Sequence, residues 1–370
     1  MEQKFITTEN NYAQIDQLLG SMGIRSLFVV CDAAYGFLRI KNYFDTIEER
    51  LGISVCYFSD FKPNPLYESV VEGVRVFNEN KCEMIAAVGG GSAMDVAKCI
   101  KLYSNMDNDK NYLEQEIVPN DIPLLAVPTT AGTGSEATRY AVIYYNGEKQ
   151  SVSDYSAIPS IVLLDASSLK TLPMYQKKST MLDALCHAIE SFWSVNSTDE
   201  SKEYSKEAIK LILEYKDAYL SNDDSGNENM LRAANIAGKA INITQTTAGH
   251  AMCYKLTSLY GIAHGHAAAL CVDKLWRYML DNTDKCIDGR GSNYLEGVFA
   301  DIANAMNINE PKQAAELFSK LIKELEFEIP KAEAEDYAIL KTSVNPTRLK
   351  NNPVGLSEEV INRLYHEILE

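Results

Sequence analysis

The sequence predicts two domains of different class: an α/β domain with a parallel sheet over residues 1–170, and an all-helical domain over residues 171–370. Three observations predict it. Short apolar runs rich in β-formers alternate with amphipathic helical stretches as far as Asp165, then stop. Two glycine- and hydroxyl-rich turns follow successive predicted strands, at the strand ends where open α/β sheets bind ligands. Beyond Pro173 only helical periodicity remains. A length of 370 residues exceeds what one core usually supports.

Ser26–Asp32, Ser54–Phe58, Met84–Gly90, Leu124–Pro128 and Ile161–Asp165 read as buried parallel strands. Helical patterns at Gln14–Met22, Phe44–Gly52, Leu66–Glu79 and Ser92–Tyr103 alternate with them. Pro63-Asn64-Pro65 is a turn. Tyr140–Ser151 reads as a hairpin around Asn146-Gly147, a type I′ signal. In the second half, helices are predicted at Thr180–Trp193, Ser201–Leu220, Glu228–Asn242, Ala248–Tyr260, Ala267–Leu280, Leu295–Ala305, Lys312–Leu325 and Glu358–Leu369. Ser179 or Thr180 is the expected cap of the first, and SNDDSGNEN is an expected loop.

The net charge of −16 argues against nucleic acid and anionic membranes as partners. Eight cysteines without a CxxC pair fit reduced, buried thiols. MEQKFITTEN is not a signal peptide and no apolar run is long enough to span a bilayer, so a cytoplasmic location is expected.

Chemistry concentrates in MLDALCHAIESFW, Met181–Trp193. Asp183 and His187 stand four apart, one helical turn on one face. An Asp–His hydrogen bond in a buried helix accounts for that pair alone. The chain has only five histidines, however, and three fall at 250, 264 and 266. A helix from His250 that ends at Gly261 and folds back brings His264 toward His250. Asp183, His187, His250 and His264 then form a complete set for one divalent transition metal.

The first glycine-rich turn is Gly89-Gly90-Gly91-Ser92. Its glycines allow close backbone approach, and the following helix start favours an anion. Asp95, three residues after Ser92, also completes a capping box. The second turn, Pro128–Thr138, offers the hydroxyls of Thr129, Thr130, Thr133 and Ser135 to phosphate or ribose. Asp32, ending the first strand, either accepts from a ribose 2′-OH, which favours NADH over NADPH, or caps the next helix. Asn64 is a candidate for the adenosine side, and the hairpin carries Lys149 back toward the cofactor.

GGGSAMDVAK, PTTAGTGSEAT, the DALCHAIE helix and the pair His250 and His264 together resemble the iron-containing (group III) alcohol dehydrogenases, over nearly the whole chain. Their superfamily includes glycerol dehydrogenase and dehydroquinate synthase. The resemblance implies a Rossmann-like N-terminal domain and a helical C-terminal domain, with metal ligands at Asp183, His187, His250 and His264. It implies nucleotide contacts at Asp32, Asn64, Gly89, Gly90, Gly91, Ser92, Asp95, Thr129, Thr130, Thr138 and Lys149, and a homodimer or larger homo-oligomer. It favours Fe2+, whereas affinity order favours Zn2+. One departure stands out. The family carries a further histidine, often assigned to proton relay, one turn after the first of the pair, and here that position is Tyr254. Tyr254 and His266 are therefore the candidate proton-relay residues, and a solvent-side histidine at the start of a helix is the alternative for His266.

The expected reaction is NAD(P)H-linked interconversion of a small aldehyde and a primary alcohol. SEATRYAVIYYNGEKQS resembles the phosphonoacetaldehyde reductase branch, which forms 2-hydroxyethylphosphonate. Arg139 and Lys255 are the candidate contacts for an anionic tail, and Arg139 paired with Glu136 is the alternative. Two other classes stay open: a lyase of the dehydroquinate-synthase kind, and a metal- and nucleotide-binding protein without turnover.

Overall fold

A computed structural model describes residues 3–344 and 346–370. The chain divides into two compact units, residues up to Leu172 with Asn222–Leu231, and Pro173–Ser221 with Arg232–Glu370.

The first unit holds a six-stranded sheet in the order β1-β8-β5-β4-β2-β3, every pair parallel. Its strands are β1 Lys4–Ile6, β2 Ser26–Cys31, β3 Ser54–Phe58, β4 Met84–Gly89, β5 Leu124–Pro128 and β8 Ile161–Leu163. Successive side chains point to opposite faces. Phe28, Val30, Ile85, Ala87, Leu124 and Ala126 enter one core, and Leu27, Val29, Met84, Ala86, Leu125 and Val127 enter the other. Burial on both faces is why these strands read as unbroken apolar runs. β1 escaped the sequence reading because three residues with one buried side chain carry no period.

The helices of this unit are α1 Glu9–Met22, α2 Arg39–Asp45, α3 Ile47–Leu51, α4 Tyr67–Glu79 and α5 Gly91–Tyr103. The expected helix over Phe44–Gly52 is broken at Thr46, whose hydroxyl donates to the carbonyls of Asn42 and Tyr43 and competes with the helical ladder. The hairpin pairs β6 Tyr140–Tyr145 with β7 Glu148–Ser153, and positive φ at Asn146 and Gly147 gives its turn. The expected Ser92–Asp95 capping box does not form. α5 starts one residue earlier, after Gly90, without a side-chain cap, and Asp95 turns to the hydroxyl of Ser135 instead.

The helices that follow are α6 Met174–Trp193, α7 Asp199–Leu220, α8 Asp224–Thr244, α9 Ala248–Tyr260, α10 His264–Leu280, α11 Ser292–Ala305, α12 Pro311–Glu324, α13 Asp336–Thr342, α14 Pro346–Leu349 and α15 Glu358–Leu369. α6 begins six residues before the expected Thr180, directly after Pro173, so neither Ser179 nor Thr180 caps it. Proline's fixed φ suits a helix start, and the Thr180 hydroxyl bonds back to Gln176. α8 absorbs most of the expected SNDDSGNEN loop, because Asp223 accepts from Ser225 and Gly226 and starts the helix there. Every residue of α6 from Met181 to Trp193 is buried. α7 and α10 pack on α6, and α10 also packs on α9. The tightest approach is at Gly265, where a Cβ would lie 2.1 Å from the carbonyl of Ser179 and 2.7 Å from Asp183 Cβ. Among the described residues no helix is long and apolar enough to cross a membrane.

Candidate functional site

In the second unit, α6 projects Asp183, His187 and Glu190 from one stripe at i, i+4 and i+7. Gly261 caps α9 in the left-handed conformation, at φ 67°, and reverses the chain so that His264 opens α10. Three imidazoles thereby converge on one carboxylate oxygen. Asp183 Oδ1 lies 3.4 Å from His250 Nε2, 3.8 Å from His264 Nε2 and 4.0 Å from His187 Nε2. The rings of His187 and His250 stack at 4.5 Å.

These separations bear on the two readings of the Asp–His pair. Four ligands held at about 2.1 Å around a tetrahedral ion sit roughly 3.4 Å from one another. Potential ligand atoms of Asp183, His187 and His250 all lie within 4.8 Å of one another. Asp183 Oδ1 and His250 Nε2 are buried and, among the described residues, lack a hydrogen-bond partner. Such groups are costly unless something charged engages them. Burial works against the imidazolium of His250, yet Glu190 and Asp183 outweigh it and push its pKa up to about 10. Burial likewise opposes ionised Asp183, and His187, His250 and His264 hold it below the usual carboxylate range. The cluster demands positive charge, and its donors fit a divalent cation.

Glu190 is the residue that sequence reasoning missed. It is fully buried. Oε1 accepts from Thr247 N at 3.2 Å, Thr247 Oγ1 at 2.6 Å and His250 N at 3.3 Å. Oε2 pairs with His250 Nδ1. Trp193 Nε1 donates to Thr247 Oγ1 at 2.9 Å, closing the network. The available signal was its place on the Asp183–His187 stripe, one turn further along a helix otherwise apolar on that side.

Tyr254 stacks on the ring of His264 at 5.5 Å, and burial raises its phenol further above its ordinary value. Cys253 Sγ lies 3.6 Å from His264 Nδ1. His266, taken from sequence as a relay candidate or as a solvent-side residue, is 1% exposed, so the solvent-side alternative fails. Tyr175 OH receives Ala263 N–H and meets His266 Nδ1 at 3.1 Å, while the imidazole stacks on Phe327 at 4.3 Å. The apolar packing of α10 on α6 takes its ring inward, and burial lowers its pKa to about 4. Lys255 is partly exposed on α9.

In the first unit, strand order reverses between β2 and β4, the switch point at which such sheets bind ligands. Asp32 ends β2 there. It caps the next turn by accepting from Ala34 N at 2.9 Å, and its other oxygen accepts from Gly90 N at 3.3 Å. A Cβ on Gly89 would lie 2.8 Å from that oxygen, one on Gly90 3.3 Å from Thr130, and one on Gly91 3.0 Å from Thr133. The glycines keep the two turns in contact and leave the N-terminus of α5 uncapped by any side chain, a cradle suited to a pyrophosphate. Ser92, Thr130 and Thr133 are partly exposed beside it, whereas Thr129 is buried.

Lys98 holds the second turn from behind and was also missed. Its fully buried ammonium donates to the carbonyls of Ser135, Thr138 and Tyr140 at 2.6, 2.8 and 2.8 Å, and to the Ser135 and Thr138 hydroxyls. Burial lowers its pKa to about 8, against the pull of Asp95 and Glu136. Asp95 is pushed up to about 6 by burial, with Lys98 and Lys149 opposing. Thr138 therefore serves the loop's own architecture. Asn64 is exposed in its turn with φ 59°. Arg139 lies 4.7 Å over the rings of both Tyr140 and Tyr155 and donates to Tyr155 OH at 2.8 Å.

Comparison with known proteins agrees with this arrangement. Residues 2–166 match the family model of iron-containing alcohol dehydrogenase, and residues 177–369 match that of the Fe-containing alcohol dehydrogenase family, C-terminal. Aldehyde-alcohol dehydrogenase 2 of Entamoeba histolytica is 29% identical over 82% of this chain, which spans only 37% of that relative's length. Phosphonoacetaldehyde reductase of Streptomyces viridochromogenes is 30% identical, covering 81% of this chain and 80% of the relative. The solved structure of sulfoacetaldehyde reductase from Bifidobacterium kashiwanohense in complex with NAD+ matches with a TM-score of 0.87 at 26% identity, over 100% of this chain and 97% of that one.

Proposed function

The chain belongs to the iron-containing alcohol dehydrogenase family, and from that premise we propose that it is a metal-dependent, nicotinamide-linked oxidoreductase interconverting a small aldehyde and its primary alcohol. The observation that carries this reading is the convergence of three imidazoles on Asp183 Oδ1, with that oxygen and His250 Nε2 buried and, among the described residues, without a hydrogen-bond partner. Asp183, His187, His250 and His264 are the proposed ligands. A divalent cation held there, Fe2+ by family and Zn2+ by affinity order, supplies Lewis acidity toward a carbonyl or alkoxide oxygen, and a bound nicotinamide supplies or accepts the hydride.

The chain's own groups bind and orient. The N–H groups opening α5, with Gly89, Gly90, Gly91 and Ser92, suit a pyrophosphate, and Thr129, Thr130 and Thr133 offer hydroxyls nearby. Asp32 repels a 2′-phosphate, which favours NADH over NADPH. Asn64, Asp95, Thr138 and Lys149 complete the proposed cofactor set, the last three by fixing the second loop and the hairpin. A raised phenol pKa makes Tyr254 a poor base, so it serves as an orienting group beside His264 rather than as a proton acceptor. His266 keeps a neutral imidazole against Tyr175.

Two relatives are named for two-carbon aldehydes with a strongly acidic tail, which supports phosphonoacetaldehyde or a similar anionic aldehyde as substrate. Arg139 and Lys255 are the proposed tail contacts. The test is NADH and NADPH oxidation with phosphonoacetaldehyde, lactaldehyde and butanal, on protein of known iron and zinc content. Preference for the anionic aldehyde, reduced selectively in Arg139→Ala or Lys255→Ala, is the expected result. Equal slowing of all three substrates removes those residues as tail contacts. No NADH consumption with any aldehyde returns the lyase and non-catalytic alternatives.

A further inference from the structure

Glu190 is not among the four proposed metal ligands, yet it is among the most completely enclosed ionised groups in the second unit. A glutamate sealed from water at that cost needs a compensating role. Its two oxygens have different partners. Oε1 takes the N–H of Thr247 and of His250, two donors at the start of α9 that lack helical acceptors, and so replaces the missing side-chain cap of that helix. Oε2 meets the ring nitrogen Nδ1 of His250, its one hydrogen-bond partner among the described residues.

The second contact fixes chemistry. A carboxylate accepts and cannot donate, so His250 must carry its proton on Nδ1. Nε2 is then the nitrogen that gives up its proton and offers a lone pair when a cation binds, and it points at Asp183 Oδ1, 3.4 Å away. Resting on the proposed metal site, we infer that Glu190 is a positioning residue that selects the metal-binding tautomer of His250 while capping the helix that carries it. Thr247 supports the arrangement, since its hydroxyl accepts from Trp193 Nε1–H and donates its own hydrogen bond to Glu190. A carboxylate behind a ligating histidine also raises the basicity of the ligand nitrogen.

Glu190→Gln separates the two roles. The amide oxygen still accepts from Thr247 and His250 and keeps the cap. The amide NH2 then faces His250 Nδ1 and drives the ring proton onto Nε2, against the metal. Purified wild-type and E190Q proteins, stripped with a chelator, are titrated with Zn2+ against a chelating dye, and the visible spectrum of each Co2+-loaded protein is recorded. The expected result is about 10- to 100-fold weaker Zn2+ binding and an altered Co2+ spectrum in E190Q, with the metal-free melting temperature near that of wild type. Glu190→Asp, which retains an acceptor-only group, recovers part of the affinity. Unchanged Zn2+ affinity and Co2+ spectrum in E190Q overturn the inference. So does a fall in metal-free melting temperature that accounts for the whole loss of binding, because Glu190 would then be a helix cap alone. Wild-type protein that takes up neither metal overturns the metal reading itself, and the inference with it.

Discussion

The first unit builds its loops around a buried cation, and the second builds its ligand cluster around a buried anion. Lys98 gathers three carbonyls and two hydroxyls of one loop. Glu190 gathers two backbone N–H groups, a hydroxyl and an imidazole. Each lies on the helix that carries its unit's motif, within a few residues of the groups proposed to bind ligand. The difference lies in what they organise. Lys98 shapes backbone, which any dinucleotide meets through N–H groups. Glu190 orients a side chain, which must present one lone pair in one direction. Removing one should damage cofactor binding and leave metal binding intact, and removing the other should do the reverse.

The strongest test of the second unit is Asp183→Ala. It removes the oxygen on which three imidazoles converge, so Zn2+ affinity should fall by more than about 100-fold and turnover by about 1000-fold, with NADH binding preserved. Gly265→Ala comes next. Its Cβ meets a backbone carbonyl at 2.1 Å, which cannot yield as a flexible side chain would, so α10 must move away from α6 and take His264 with it. A stability loss of about 1–3 kcal/mol by chemical denaturation, with weaker Zn2+ binding, is expected. Lys98→Met addresses the first unit. Five oxygens lose their donor, and KM for NADH should rise about 10-fold or more while Zn2+ affinity stays unchanged. A change in both affinities from Lys98→Met would break the comparison.

Much of this was legible in sequence. The five sheet strands other than β1, the Asn146-Gly147 hairpin and α9 follow from apolar period and turn chemistry, which are local. Asp183 and His187 were legible because one helix turn links them, and His250 and His264 because histidines are scarce. Glu190 and Lys98 were not read, because their partners lie 57 to 60 and 37 to 42 residues away and a single charge in an apolar helix does not reveal which donors or acceptors surround it. The capping box at Ser92 and Asp95 failed for the same reason: Ser135, forty residues on, competes for Asp95. His266 reads as solvent-facing from its helix-start position, and contacts distant in sequence, Tyr175 on α6 and Phe327, explain its burial.

Smaller effects sharpen the contrast. His266 shows what burial does in the second unit to an imidazole that meets a phenol and a phenyl ring. Its pKa falls from 6.5 to about 4 rather than rising. Between those values the unfolded chain takes up a proton that the folded one refuses, so stability is lost as pH falls through that window. That loss should approach about 3 kcal/mol near pH 4 and should shrink in His266→Phe, measured by urea unfolding across pH. Smallest is Tyr254→Phe, expected to change kcat by less than about threefold because a phenol with a raised pKa contributes little as a base. A loss of 100-fold would assign the hydroxyl a relay role.

Anomalous scattering from crystals loaded with iron, recorded on both sides of its absorption edge, tests the central claim most directly. The account predicts one dominant peak, bounded by Asp183 Oδ1 and the Nε2 atoms of His187, His250 and His264. Iron bound elsewhere, or no peak among those four residues at full loading, would contradict it.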